Sequence, residues 1–219
     1  MVEKTFEGID FEVLKHEQLK LSKNVILDDS RDFGEVIFVG AFSNVVVGNK
    51  IISAVIVVDN NQEIIEQKYF VDRVNFPYSP EFRAYRELPA MITAFQLLEQ
   101  KPEVIFMDGL GINHVRLGIA SHFSMSTNTP SIAITDNLSS FVVGNDDYLF
   151  SSNNPKLVVG KSFVSKVGSK PLFISPGSLI SVDSAFMITK KFVIPPHKLP
   201  EPMRAARKYV KKIQKEISK

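Results

Sequence analysis

Three side chains in this sequence stand where chemistry could be done: Glu87, Asp108 and His114. Asp108 closes the apolar run EVIFMD, Glu103 to Asp108, and is followed by Gly109, Leu110 and Gly111, so it reads as the last residue of a buried strand that opens onto a loop. The carboxyl ends of strands are where open α/β sheets form ligand crevices, and the glycines leave backbone with little side-chain bulk beside the carboxylate. The same residue would equally serve to cap the turn that follows. Glu87 lies where PYSPEFRAYRELPA, Pro77 to Ala90, becomes a helix. Packed near Asp108 it would supply a second oxygen ligand for magnesium or manganese; otherwise it is a first-turn glutamate stabilised by the helix dipole. His114, in the loop after Asp108, is close enough in sequence to approach the same crevice, although loop histidines also serve structure or face solvent. His122 falls inside an apolar helical pattern and reads as a core or interface histidine.

The elements that must position these residues are strands first and helices later. EVIFVGAFSNVVVG, KIISAVIVVD and EIIEQKYFVDRV are rich in Val, Ile and Phe and are separated by GNK and NNQ, which read as hairpin turns. They predict an antiparallel meander of three strands. Leu88, Met91, Ile92, Phe95 and Leu98 then recur at helical spacing and stop before Lys101 and Pro102. EVIFMD and PSIAIT, Pro130 to Thr135, alternate with the helical RLGIASHFSMS as expected of buried parallel strands. A meander followed by such parallel strands, flanked by helices, makes an α/β mixed sheet of the ribonuclease H kind, although the pattern also fits other mixed sheets. From Asn137 to Ser169 a β-rich excursion is expected, then a strand in KPLFISPG and a helix in SLISVDSAFMITKKF. A last helix from about Glu201 carries Met203, Ala206, Val210, Ile213 and Ile217 on one side and Arg204, Lys208, Lys211 and Lys215 on another. That basic stripe is either a solvated face or a phosphate track.

Composition narrows the classes. With 219 residues, 44% of them hydrophobic, the chain can bury one full core, so a single domain over residues 1–219 is expected. No apolar run is long enough for a membrane span, and MVEKTFEGIDFEVLKHEQ is too charged for a signal peptide, so a soluble cytoplasmic protein without a membrane partner is expected. The absence of cysteine excludes disulfides and thiolate metal sites and agrees with a reducing compartment. A formal charge of +2 does not by itself mark a nucleic-acid protein.

PYSPEFRAYRELPA, DGLGINHVRLGIASHF, SPGSLISVDSA and PPHKLPEPMRAARKY resemble, in order and spacing, successive blocks of the endonuclease V family, from about Glu35 to Tyr209. The resemblance implies a ribonuclease H-like fold and cleavage of DNA or RNA near a deaminated purine, chiefly inosine, with Mg2+ or Mn2+. It casts Pro77, Tyr78, Ser79 and Pro80 as a wedge that enters the duplex at the lesion. A proline-fixed turn loses little entropy on binding, and an aromatic ring can replace a stacking partner of an extruded base. It makes Glu87 and Asp108 metal-binding catalytic acids and His114 a catalytic histidine of the same loop. Gly109, Gly111, Gly118 and Ala120 would leave room for the extruded base.

Four positions depart from the family pattern. Ala41, in VGAFSN, stands where the resemblance calls for the first catalytic aspartate, Asp136 for a lysine, Arg207 for a histidine, and Glu81 for the glycine that closes the wedge. Asp136 would serve as a replacement metal ligand beside Glu87 and Asp108. The sequence therefore supports an endonuclease V-like protein that binds nucleic acid at a deaminated or mismatched base, hydrolysing it where a metal site survives. Its alternatives are an inactive homologue that binds nucleic acid, or an interaction scaffold.

Overall fold

The computed structural model describes residues 8–217. It begins with α1 (Phe11–Ser22), an element that the periodicity above does not anticipate; Asp10 caps it by accepting from the amides of Glu12 and Val13. The expected meander follows as β1 (Val39–Val47), β2 (Lys50–Val58) and β3 (Ile64–Arg73), paired antiparallel. A 3-10 turn, Pro80–Phe82, runs directly into α2 (Arg83–Gln96). After it come β4 (Val104–Asp108), α3 (Ile119–Thr127) and β5 (Ser131–Thr135), with β4 parallel to β1 and β5 parallel to β4. The β-rich excursion resolves into β6 (Phe141–Val143), β7 (Tyr148–Ser151) and β8 (Asn154–Phe163). Together with β9 (Leu172–Pro176) these strands extend the same sheet, whose order is β3-β2-β1-β4-β5-β9-β8-β7-β6. The chain ends in α4 (Val182–Phe192) and α5 (Glu201–Ile217). Among the described residues no helix is long and apolar enough to cross a membrane.

Helices cover the sheet on both faces, and β4 shows why. Its even residues Val104 and Phe106 enter one core cluster with Ile188 and Phe192 of α4 and Met203 and Ala206 of α5. Its odd residues Ile105 and Met107 enter the other with Ala84, Met91 and Ala94 of α2 and Ile119 and Phe123 of α3. Burial of such side chains on both faces, at roughly 1.5–3 kcal/mol each, fixes β4 in register. Asp108, the next residue, emerges beyond the core at the sheet's open end, where it is exposed.

α1 is tied down by a polar rivet. Gln18 is fully buried; its Nε2 donates to the carbonyl of Glu81 at 3.0 Å, and its Oε1 accepts from Arg116 Nε at 2.7 Å. One amide thus joins α1, the turn before α2 and the loop after β4. Replacing Gln18 by Leu keeps the bulk and strands the guanidinium and the carbonyl without their partner, so a loss of about 1–3 kcal/mol is expected. A urea denaturation midpoint lowered at constant slope would register it, and an unchanged midpoint would contradict the rivet.

Candidate functional site

The Pro77–Pro80 turn is braced from behind. Phe76 stacks on Tyr85 with ring centroids 5.8 Å apart, and buried Phe82 lies 5.1 Å from Phe11 of α1. Arg86 donates from Nη1 to the Phe76 carbonyl at 2.8 Å, and its guanidinium carbon lies 5.9 Å from the Tyr78 ring centroid. Tyr78 itself is 73% exposed, so a held turn presents a free aromatic face. Glu81, where the resemblance calls for glycine, bonds Arg116 at 2.6 Å, and that hydrogen bond, against the opposing effect of burial, holds its carboxyl below the usual range. The departure at this position therefore braces the turn against the loop after β4.

Between turn and loop lies a cavity of about 210 Å³ lined by Tyr78, Pro80, Arg83, Gly109, His114 and Gly118, among others. That is smaller than the roughly 300–1,000 Å³ of drug-sized ligand sites, so it is sized for one small group. Pro77, Ser79 and Gly111 are not among its lining. Gly111 is instead a packing position, where a Cβ would come within 2.1 Å of the Pro176 carbonyl oxygen. At Gly118 a Cβ would meet the Leu110 carbonyl oxygen, also at 2.1 Å, so the cavity wall depends on that glycine. Burial, reinforced by the neighbouring Arg116 charge, pushes His114 down to about 4, leaving it neutral at neutral pH. Its Nδ1 accepts from the Arg116 amide at 3.1 Å, which leaves Nε2 as the nitrogen carrying the proton. His114, which lines the cavity, is therefore a neutral imidazole with an N–H to donate and holds no ionised proton to give.

The three carboxylates expected to share a metal are each engaged by a cation of the chain. Glu87 is buried and lies in the second turn of α2, which removes it from the first-turn dipole position considered above. Arg83, one turn earlier, grips it through Nε at 2.7 Å and Nη2 at 3.1 Å, and Asn44 of β1 donates to it at 2.7 Å. Asp108 lies 3.5 Å from Arg83 Nη1 on one side and 3.5 Å from Arg207 Nη2 on the other. Asp136 accepts from Lys198 Nζ at 2.9 Å, which holds its carboxyl below the usual range against the opposing effect of burial. Burial alone would depress the Arg83 guanidinium, but the charge and hydrogen bond of Glu87, joined by Asp108, outweigh it and raise its pKa. Among the described residues no three acids or histidines are grouped to hold a metal ion, so the set Glu87, Asp108 and Asp136 is not assembled. Three carboxylates face three cations of the chain, and such a paired set does not fit the divalent ion that the resemblance implies.

Ala41 lies deeper in the sheet than the cleft beside Asp108. It pairs with Phe106, below Asp108 on the same sheet face, and its methyl group is wholly buried in the cluster containing Met203 and Ala206. The β1 residues that line the cleft beside Asp108 are Phe42, Ser43 and Asn44. β1, VGAFSNVVV, contains no carboxylate, so the strand supplies no acidic ligand from any position. The sequence reading also missed Arg83, whose spacing of four residues from Glu87 is a helical ion-pair signal. It missed Asn44 and Lys198 too, for which no local signal exists.

A meander continued by parallel strands and flanked by helices defines a ribonuclease H-like protein. A family model described as Endonuclease V matches residues 19–208. An Endonuclease V of Thermosipho melanesiensis is 35% identical over 177 residues, covering 76% of this chain and 76% of its own length. The solved Endonuclease V of Streptomyces avermitilis superposes with a TM-score of 0.85 at 26% identity, covering 100% of this chain and 98% of that one. Endonuclease V of Ciona intestinalis, solved in complex with a 24mer DNA containing an inosine followed by a ribo-adenosine, superposes with a TM-score of 0.86 at 23% identity over 95% of this chain and 100% of that one. The chain belongs to the endonuclease V family.

Two histidines, His122 buried and His114 half-buried, make stability depend on pH. His122, whose Nε2 is buried without a partner, is pushed by burial to about 4, as is His114. The unfolded chain binds protons on both near the ordinary value of 6.5, and the folded chain only near 4, so stability is lost as pH falls through that window. The thermal midpoint is expected to fall across it, and less steeply in His122→Phe. A wild-type midpoint that stays flat between those pH values would contradict the assignment.

Proposed function

We propose that this chain binds a nucleic-acid strand at a displaced, deaminated purine, and that it does so without the Mg2+- or Mn2+-dependent hydrolysis implied by the family resemblance. The observation that carries the reading is a base-sized cavity standing beside carboxylates that are already matched by Arg83, Arg207 and Lys198. The solved relative bound to inosine-containing DNA supports the choice of ligand.

The chemistry of the cavity favours a deaminated base. Deamination exchanges an exocyclic amino group for a keto oxygen, turning a donor into an acceptor. The polar groups lining the cavity include the Arg83 guanidinium and the neutral His114, both of which donate. A keto oxygen meets these donors; an amino group would oppose them. In this reading Tyr78 occupies the space that the base vacates, Pro77, Ser79 and Pro80 fix the turn that carries it, and Gly109 and Gly118 form backbone walls. Glu87 and Asp108 hold Arg83 in place at the rim.

Wild-type protein is expected to bind an inosine-containing duplex more tightly than a perfect one, and to leave both uncut in magnesium or manganese. Tyr78→Ala should weaken the inosine complex by about 1–3 kcal/mol and leave the perfect duplex little changed. Equal affinities for the two duplexes would overturn the recognition half, and metal-stimulated nicking near inosine in DNA or in RNA would overturn the other half.

A further inference from the structure

We propose that the bound strand is gripped through its phosphates without any divalent cation: the Arg207 guanidinium, over Asp108, takes the phosphate at the rim of the base cavity, and Lys211 and Lys215 take those that follow along α5. The inference rests on the reading that nucleic acid binds at this cavity, and adds the path of its backbone.

The cavity and the cationic helix meet at one corner. Arg83 lines both the base cavity and the cleft that contains Asp108 and Arg207, and Gly109, next to Asp108, lines the cavity as well. A phosphate attached to a base held there therefore reaches the rim where Arg207 stands. Arg207 is about half exposed, and its contact with Asp108, at 3.5 Å, is longer than the roughly 2.7–2.9 Å of a strong charge-assisted bond. Asp108 aims the guanidinium while leaving most of its donors to a ligand, and a planar fork with two parallel N–H groups matches two phosphate oxygens.

From that corner the charge runs on in one direction. Met203, Ala206, Val210 and Ile213 of α5 are buried against the sheet, which fixes the opposite side of the helix outward. Arg207, Lys211 and Lys215 follow at intervals of four residues, roughly 6 Å of helix rise each, so they form one row comparable in spacing to neighbouring phosphates of an extended strand. All three are exposed, and among the described residues no ion pair engages Lys208, Lys211, Lys212 or Lys215. α5 carries six basic residues against two acidic ones, in a chain whose formal charge is only +2, so the rest of the chain is net negative. Positive charge is concentrated on the one helix that begins at the cleft, as electrostatic capture of a polyanion requires.

The test is fluorescence anisotropy with labelled single-stranded oligodeoxynucleotides containing inosine or adenine at one position, measured across a sodium chloride series in EDTA and in magnesium. Wild-type binding is expected to persist in EDTA and not to be strengthened by magnesium, which only competes for the phosphates. Arg207→Gln should reduce the slope of log affinity against log salt by about 0.7, and Lys211→Gln with Lys215→Gln by about twice that, each weakening inosine and adenine strands alike. Melting midpoints at the wild-type value establish that these surface variants fold. Binding that disappears in EDTA, or slopes unchanged in both variants, overturns the clamp even where inosine is still preferred. Reduced slopes with no preference for inosine support the clamp and overturn base recognition instead. A wild-type protein that binds neither strand overturns both.

Discussion

Arg83 is the interaction on which the site depends. Glu87 is a buried carboxylate, and a buried charge is tolerated only when a partner and hydrogen bonds replace the water it has lost. Arg83 supplies that replacement with a two-point grip, reaches Asp108 with its remaining arm, and lines the cavity beside the Pro77–Pro80 turn. Its placement follows from the backbone. The 3-10 turn at Pro80 runs straight into α2, so the residues that brace Tyr78 and those that hold Glu87 belong to one rigid segment. Arg83 is only half-buried, so removing it costs less than the about 3–5 kcal/mol of breaking a fully buried pair, yet it would leave the buried Glu87 carboxylate without its main partner, which makes Arg83 as much a structural residue as a cavity-facing one.

Around that pair the charges have been rearranged as a set. The positive charge that the resemblance expects at residue 136 is found at Lys198, facing an Asp136 that has changed sign. The histidine expected at 207 is a permanent cation beside Asp108. β1 contributes Asn44, a neutral amide, to Glu87. Together Arg83, Arg207 and Lys198 balance Glu87, Asp108 and Asp136 in charge. A divalent ion gains most where unpaired carboxylates converge, and these carboxylates are each paired with a cation of the chain.

Much of the fold was legible because its signals are local. The meander, the amphipathic face of α2 and the apolar run ending at Asp108 follow from periodicities of two and 3.6 that tertiary packing only reinforces. α1 escaped because its one buried side chain is Gln18, a polar residue that no apolar pattern marks. The ion pairs that redefine the site, Asp136 with Lys198 and Asp108 with Arg207, join residues 62 and 99 positions apart. A sequence read without its fold offers no means of pairing them.

The most direct test of the guanidinium-filled site is a crystal soaked in millimolar manganese and measured for anomalous scattering. The expected map has no peak between Glu87 and Asp108, with Arg83 still in contact with both carboxylates. A manganese peak there, with carboxylate oxygens at about 2.1 Å and Arg83 or Arg207 displaced, would contradict the claim and return the chain to the metal-dependent nucleases of its family.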